Sequence, residues 1–144
     1  MKEFRRVVVA VDGSDGSIRA TRAAARLADH MSVPLVLLHV FPLMSNDIAG
    51  ALGMSASEME AVRDRSARKT FEEVRAQISE REIEIQEVAR IGDPAEEVIS
   101  YLNDDVETLM VMGRRGQTKM GSLLLGSVSD KVLRHTHTPV TVVS

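Results

Sequence analysis

Five short runs of β-branched and other apolar residues alternate with longer segments of helical periodicity, and that alternation directs the chain to an α/β fold built on a parallel sheet. The first run is Val7-Val8-Val9-Ala10-Val11. In the segment after it, Ala20, Ala24, Leu27, Ala28 and Met31 share one helical face, with Arg19, Arg22, Arg26 and Asp29 opposite, so a helix is expected over 14–31. A second strand over 35–40 follows Pro34 and is apolar nearly throughout, as befits a sheet covered on both faces. A helix over 55–79 comes next, with Ala67, Phe71, Val74 and Ile78 as its inner stripe and many charges on its solvated face.

The run over 83–89 alternates apolar and polar residues imperfectly, which places it at the sheet edge. Asp93-Pro94-Ala95-Glu96 then offers an N-cap, a proline at the first helical position and a glutamate three residues after the cap. Ala95, Val98, Ile99 and Leu102 supply that helix's buried stripe. A strand over 108–112, a helix over 127–135 and a strand over 140–143 complete five strands and four helices. Right-handed crossovers in a doubly wound sheet predict the strand order 3-2-1-4-5 with helices on both faces, and ligands bind where the order reverses, between strands one and four.

A chain of 144 residues suits a single domain spanning 1–144, one that buries roughly 68–70% of its unfolded surface. The net charge of −3, with both signs mixed along the chain, provides no broad basic field for nucleic acid and no polybasic membrane anchor. One Tyr, three Phe and no Trp leave no aromatic and basic interleaving for stacking bases. Without cysteine there is no disulfide framework, thiolate nucleophile or cysteine-based metal site, and a cytoplasmic setting is the default expectation. The apolar run after Lys2, Arg5 and Arg6 ends at Asp12-Gly13, too short for a signal-peptide core or a membrane span.

The chemistry concentrates after strand four. Gly113-Arg114-Arg115-Gly116 is followed, after nine intervening residues, by Gly126-Ser127-Val128-Ser129-Asp130. Glycines at a strand end let backbone amides approach a ligand, and Gly-Ser opening a helix presents unpaired amides to an anion, a pattern suited to phosphate. A plain turn needs one glycine there, not three at this spacing. Arg114, Arg115 and Lys119 are candidate counter-cations, Arg115 foremost. Ser127-x-x-Asp130 also reads as a helix cap, a role that needs no ligand. Asp12 and Gly113 both stand just past the strands flanking the expected reversal, so two signals meet at one crevice.

Gly113-x-x-Gly116-(nine residues)-Gly126-Ser127, together with Val11-Asp12-Gly13-Ser14 and Leu38-His39-Val40, resembles the universal stress protein family in its ATP-binding branch, over essentially the whole chain. The resemblance implies that Asp12 binds ribose; read without it, Asp12-Gly13 is a turn that ends strand one. It implies that the backbone of Val40 reads the adenine edge, with Ala10, Val11 and Met112 lining the base pocket. It assigns Gly113, Arg115, Gly116, Gly126, Ser127, Val128 and Ser129 to the phosphates. ATP, or ADP or AMP, is the implied ligand, with Mg²⁺ or Mn²⁺ held mainly by phosphate oxygens.

No Gly-Lys-Ser/Thr follows the glycines, so this is not the common ATP-hydrolysing loop, and at most slow hydrolysis is expected. No catalytic residue is assigned: Asp12 is committed to ribose, and His39 at a strand end reads as a packed imidazole. His135 and His137, two apart without cysteine or a carboxylate pair, do not make a metal site, and His30 reads as a surface residue.

The last strand is an apolar edge without charge or bulge, which invites pairing with its own copy about a two-fold axis, as the family commonly does. Two functions fit. One is a nucleotide-dependent regulatory or stress-response protein that presents a surface, with the segment 41–54 beside the crevice as the candidate, to an unknown protein partner. The other is a stress-associated interaction module whose nucleotide pocket is vestigial.

Overall fold

Successive side chains of a strand point to opposite faces of a sheet, and the β-branched runs fill both. The computed structural model describes residues 3–43, 53–104, 106–114 and 125–144. Among them the elements run β1 (Arg6–Ala10), α1 (Asp15–Met31), β2 (Leu35–Pro42), α2 (Ala56–Arg75), β3 (Ile85–Gly92), α3 (Pro94–Leu102), β4 (Thr108–Gly113), α4 (Ser127–His135) and β5 (Val140–Val143). All strand pairs are parallel, in the order β3-β2-β1-β4-β5 expected from the pattern.

Two cores result. Val7, Val9, Leu35, Leu37 and Val111 pack with the alanine face of α1 and with Ala67, Phe71 and Val74 of α2. Val8, Val36, Leu38, Met110 and Met112 face the other way, against Ala95, Val98 and Leu102 of α3 and Val132 of α4. Burying a valine, leucine or methionine side chain contributes about 1.5–3 kcal/mol. The small face of α1, with Ala20, Ala24, Ala25 and Ala28 fully buried, lets that helix lie close on the sheet.

Several boundaries differ from the sequence expectation, among them the end of β2, which runs to Pro42 rather than 40. β3 covers Ile85–Gly92 rather than 83–89, because it follows β2 in continuous register from Leu35↔Ile85 to Pro42↔Gly92. Main-chain pairing, not side-chain alternation, decides where an edge strand ends. α2 stops at Arg75 instead of 79, where the amides of Gln77 and Ile78 bond back only three residues, to Val74 and Arg75. β1 ends at Ala10, although the Val11 amide still donates to Leu38 O at 2.9 Å.

At the amino ends of the strands the sheet is stitched shut. Arg6 of β1 donates through Nε to Thr108 Oγ1 of β4 at 2.7 Å and forms a two-pronged pair with Asp104, both contacts at 2.8 Å. At the carboxyl ends β1 and β4 part company around a crevice. No helix among the described residues is long and apolar enough to cross a membrane.

Candidate functional site

The crevice is a cavity of about 550 Å³ over the carboxyl ends of β1, β2 and β4, within the range of small-molecule sites. The starts of α1, α3 and α4 also reach it through Ser14 and Ser17, through Asp93 and Pro94, and through Gly126 to Ser129. Of the residues singled out in the sequence, Ala10, Val11, Asp12, Val40, Met112, Gly113, Gly126, Ser127, Val128 and Ser129 all line it. Arg115, Gly116 and Lys119, with most of the segment 41–54, lie outside the described residues.

One wall is apolar. Ala10, Leu38, Val40, Val98 and Met112 line it and belong to the cluster beneath α3 and α4. Val11 does not join them: its side chain is 3% exposed and packs in the opposite cluster, under α1 and α2. Strand alternation explains the difference, since consecutive residues cannot share a face.

Beside that wall β1 turns sharply into α1. Gly13 has φ +79°, a conformation that a side chain disfavours, so the Asp-Gly pair has a local structural reason. The Asp12 carboxylate accepts from the Ser14 amide at 2.9 Å and from the Ser14 hydroxyl. Ser14 in turn caps α1 by accepting from the Ser17 amide at 3.2 Å, and the Asp12 amide donates to Ser17 Oγ at 3.3 Å. Asp12 thus both organises the turn and borders the cavity.

α4 starts differently. The N-cap is Gly126, not Ser127 as the Ser127-x-x-Asp130 pattern suggested, and it makes no side-chain cap bond. The cap therefore falls one residue earlier, leaving Ser127 exposed in the first turn and Asp130 paired with Arg134 at 2.9 Å. The helix start is anchored from behind: the buried Ser129 hydroxyl donates to Gly113 O at 2.8 Å, and the Gly126 amide to Arg114 O at 2.7 Å. The first intrahelical bond is Asp130 N to Gly126 O. The amides of Ser127 to Ser129 therefore have no acceptor within the helix.

Several cavity residues escaped the sequence reading. His39 is 5% exposed, the packed imidazole expected, with its ring edge-on to Phe71 at 6.2 Å. It also lines the cavity, with Nδ1 2.8 Å from Val11 O and Nε2 3.0 Å from Ser66 Oγ. Ser66 and Thr70, one turn apart on α2, line it too. The one signal for them is two hydroxyls flanking the apolar stripe of α2. Asp93 caps α3 by accepting from the Glu96 amide at 2.9 Å, and Lys131 of α4 reaches within 3.9 Å of it. Its place at the cavity gave no separate sign.

Among the described residues no group of three or more His, Asp or Glu side chains could hold a metal ion, and His30, His135 and His137 are exposed. The crevice brings together an apolar slot, a carboxylate turn and a helix start that offers amides.

Comparison with known proteins fits this layout. The universal stress protein of Bacillus subtilis called YxiE is 28% identical over 146 residues, covering 97% of this chain and 99% of its own length. A solved universal stress protein in complex with cAMP superposes with a TM-score of 0.65 at 23% identity, over 99% of this chain and 98% of that one. The universal stress protein of Archaeoglobus fulgidus in complex with dAMP gives a TM-score of 0.63 at 19% identity, over 99% and 100%. At such identities the two structures establish a shared fold, while the nucleotides belong to those proteins. The model of the universal stress protein family matches residues 3–144, and the chain belongs to that family.

Proposed function

We propose that the crevice binds an adenine nucleotide, ATP foremost, and that the chain is a nucleotide-dependent regulatory protein of the stress response. The observation that carries this reading is the meeting, in one cavity, of an apolar slot, the Asp12 turn and a helix start without a side-chain cap. These match the three parts of a nucleotide in kind: a flat base, a sugar with hydroxyls and an anionic phosphate chain. Two family members with the same fold, solved with cAMP and dAMP, support the ligand class. In this reading Val40 offers its backbone to the adenine edge between Ala10 and Met112. Asp12 accepts from ribose, and Gly113, Arg115, Gly116 and Gly126 to Ser129 surround the phosphates. Mg²⁺ or Mn²⁺ is held mainly by phosphate oxygens, and hydrolysis is slow at most because the sequence lacks the Gly-Lys-Ser/Thr of fast phosphoryl-transfer loops.

Titration calorimetry of nucleotide-stripped protein with ATP and Mg²⁺, beside ADP, AMP and GTP, tests the proposal. Micromolar ATP binding, about −8 kcal/mol, with GTP rejected, is expected. Absence of heat and of thermal stabilisation with every nucleotide would leave the crevice vestigial and the protein an interaction module.

We further propose a homodimer through β5, working in the cytoplasm. Support comes from the two sheet edges: β3 carries Gln86, Glu87 and Arg90, whereas β5 reads Val-Thr-Val-Val. An apolar edge with open main-chain groups is stabilised by pairing with its copy. A dimer mass is expected by light scattering at micromolar concentration; a monomer mass would reject this interface.

A further inference from the structure

The cavity straddles the top of the sheet, and its far side, on the α1 and α2 face, differs chemically from the apolar slot. There His39 sits between β1 and α2. Its Nδ1 faces Val11 O, which accepts hydrogen bonds but donates none, so in the neutral ring Nδ1 carries the proton. Nε2 is then an acceptor, and the Ser66 hydroxyl 3.0 Å away spends its proton on it. The Ser66 oxygen is left able to accept. One turn on, Thr70 also lines the cavity at 7% exposure, and among the described residues its hydroxyl has no hydrogen-bond partner. A polar group this deeply buried calls for a partner.

Ser66 and Thr70, four residues apart on one helix, have neighbouring side chains, so a single atom can meet both. It must donate to Ser66 and accept from Thr70, which a hydroxyl does. Phosphate is a poor occupant at this corner, since an ionised phosphate oxygen has no proton to donate to Ser66. We propose that Ser66 and Thr70, with His39 fixing the direction of the Ser66 proton, form a subsite that reads a 2′- or 3′-hydroxyl of the bound nucleotide's ribose, across from Asp12. The proposal rests on the reading of the crevice as a nucleotide site. It adds a specificity element: preference for ribonucleotides over their deoxy counterparts through α2.

The test is a cycle of ligands and variants. Wild type, Thr70→Val, which keeps shape but loses the hydroxyl, and Thr70→Ser, which keeps it, are titrated with AMP, 2′-deoxy-AMP and 3′-deoxy-AMP. Melting of each variant confirms the fold. Thr70→Val is expected to weaken AMP by about 3- to 10-fold, the worth of one neutral hydrogen bond. It should leave one of the two deoxy analogues within about 2-fold of wild type, while Thr70→Ser restores the AMP affinity. Equal losses for AMP and both deoxy analogues, or no loss for any, would overturn the subsite and leave nucleotide binding standing. Failure of wild type to bind any of the three, with ATP failing too, would overturn both readings together.

Discussion

α1 and α4 start at the same crevice and solve the problem of their unpaired first amides in opposite ways. α1 is closed on itself: Ser14 accepts from the Ser17 amide, and Asp12 accepts from the Ser14 amide. α3 is closed too, by Asp93. α4 opens on Gly126, whose φ of −68° and ψ of 162° suit any residue, so glycine is not required there by its dihedrals. A side-chain cap is worth about 0.5–2 kcal/mol relative to alanine, and glycine gives up only a few tenths of that. The chain thus forgoes little stability at α4 and keeps its donors turned outward. On the proposed reading, the contrast separates a helix start that serves the fold from one that serves a ligand.

The largest expected effect comes from placing a carboxylate where α4 offers amides. Ser127→Asp adds a charge in the first turn, where the helix dipole favours it by about 0.3–1 kcal/mol, so the melting temperature should hold or rise. A phosphate about 4 Å away would meet repulsion of about 4 kcal/mol at an effective dielectric of about 20. The affinity for ATP should fall at least about 100-fold by calorimetry. Undiminished binding would mean the phosphates do not lie at α4, and the contrast with α1 would lose its functional sense.

Asp12→Ala comes next, because Asp12 stands on the self-capped side yet borders the cavity. Loss of charge-assisted bonds to ribose predicts weakening by about 10- to 100-fold. The lost turn bonds should lower stability by about 1 kcal/mol, without unfolding. Melting without any change in nucleotide affinity would return Asp12 to the turn alone.

Much of this comparison is legible in the sequence, and the illegible part has a physical pattern. Chain direction and crossover handedness bring Asp12 and Gly113 to one place, so strand order and crevice follow from periodicity. Asp93-Pro94 shows its cap because the cap is local, bonded three residues on. What stayed hidden depends on partners far away in the chain. β3 shifts because β2 sets its register, and His39, Ser66 and Thr70 meet only because α2 folds back over the face that His39 points to. Resemblance groups Val11 with Ala10, and both line the cavity, although alternation along the strand sends their side chains to opposite cores. The one-residue error at Ser127 arose because a serine is the better cap by propensity, and only the backbone shows that Gly126 holds the position.

The smallest effect tests the quiet side of the comparison. Ser14→Ala removes the cap of α1 and one of the two bonds that Ser14 makes to Asp12, while the main-chain amide bond at 2.9 Å remains. A cap deletion costs about 1 kcal/mol, or about 2–4 °C in melting temperature for a chain near this size. Since the amide still orients the carboxylate, nucleotide affinity should stay within about 2-fold. Stability should thus fall while binding holds, the reverse of Ser127→Asp. If calorimetry instead showed a binding loss exceeding the stability loss, the Ser14 hydroxyl would be holding Asp12 for its ligand. Both helix starts would then belong to the site, and the division between a closed end and an open one would give way to a single network centred on Asp12.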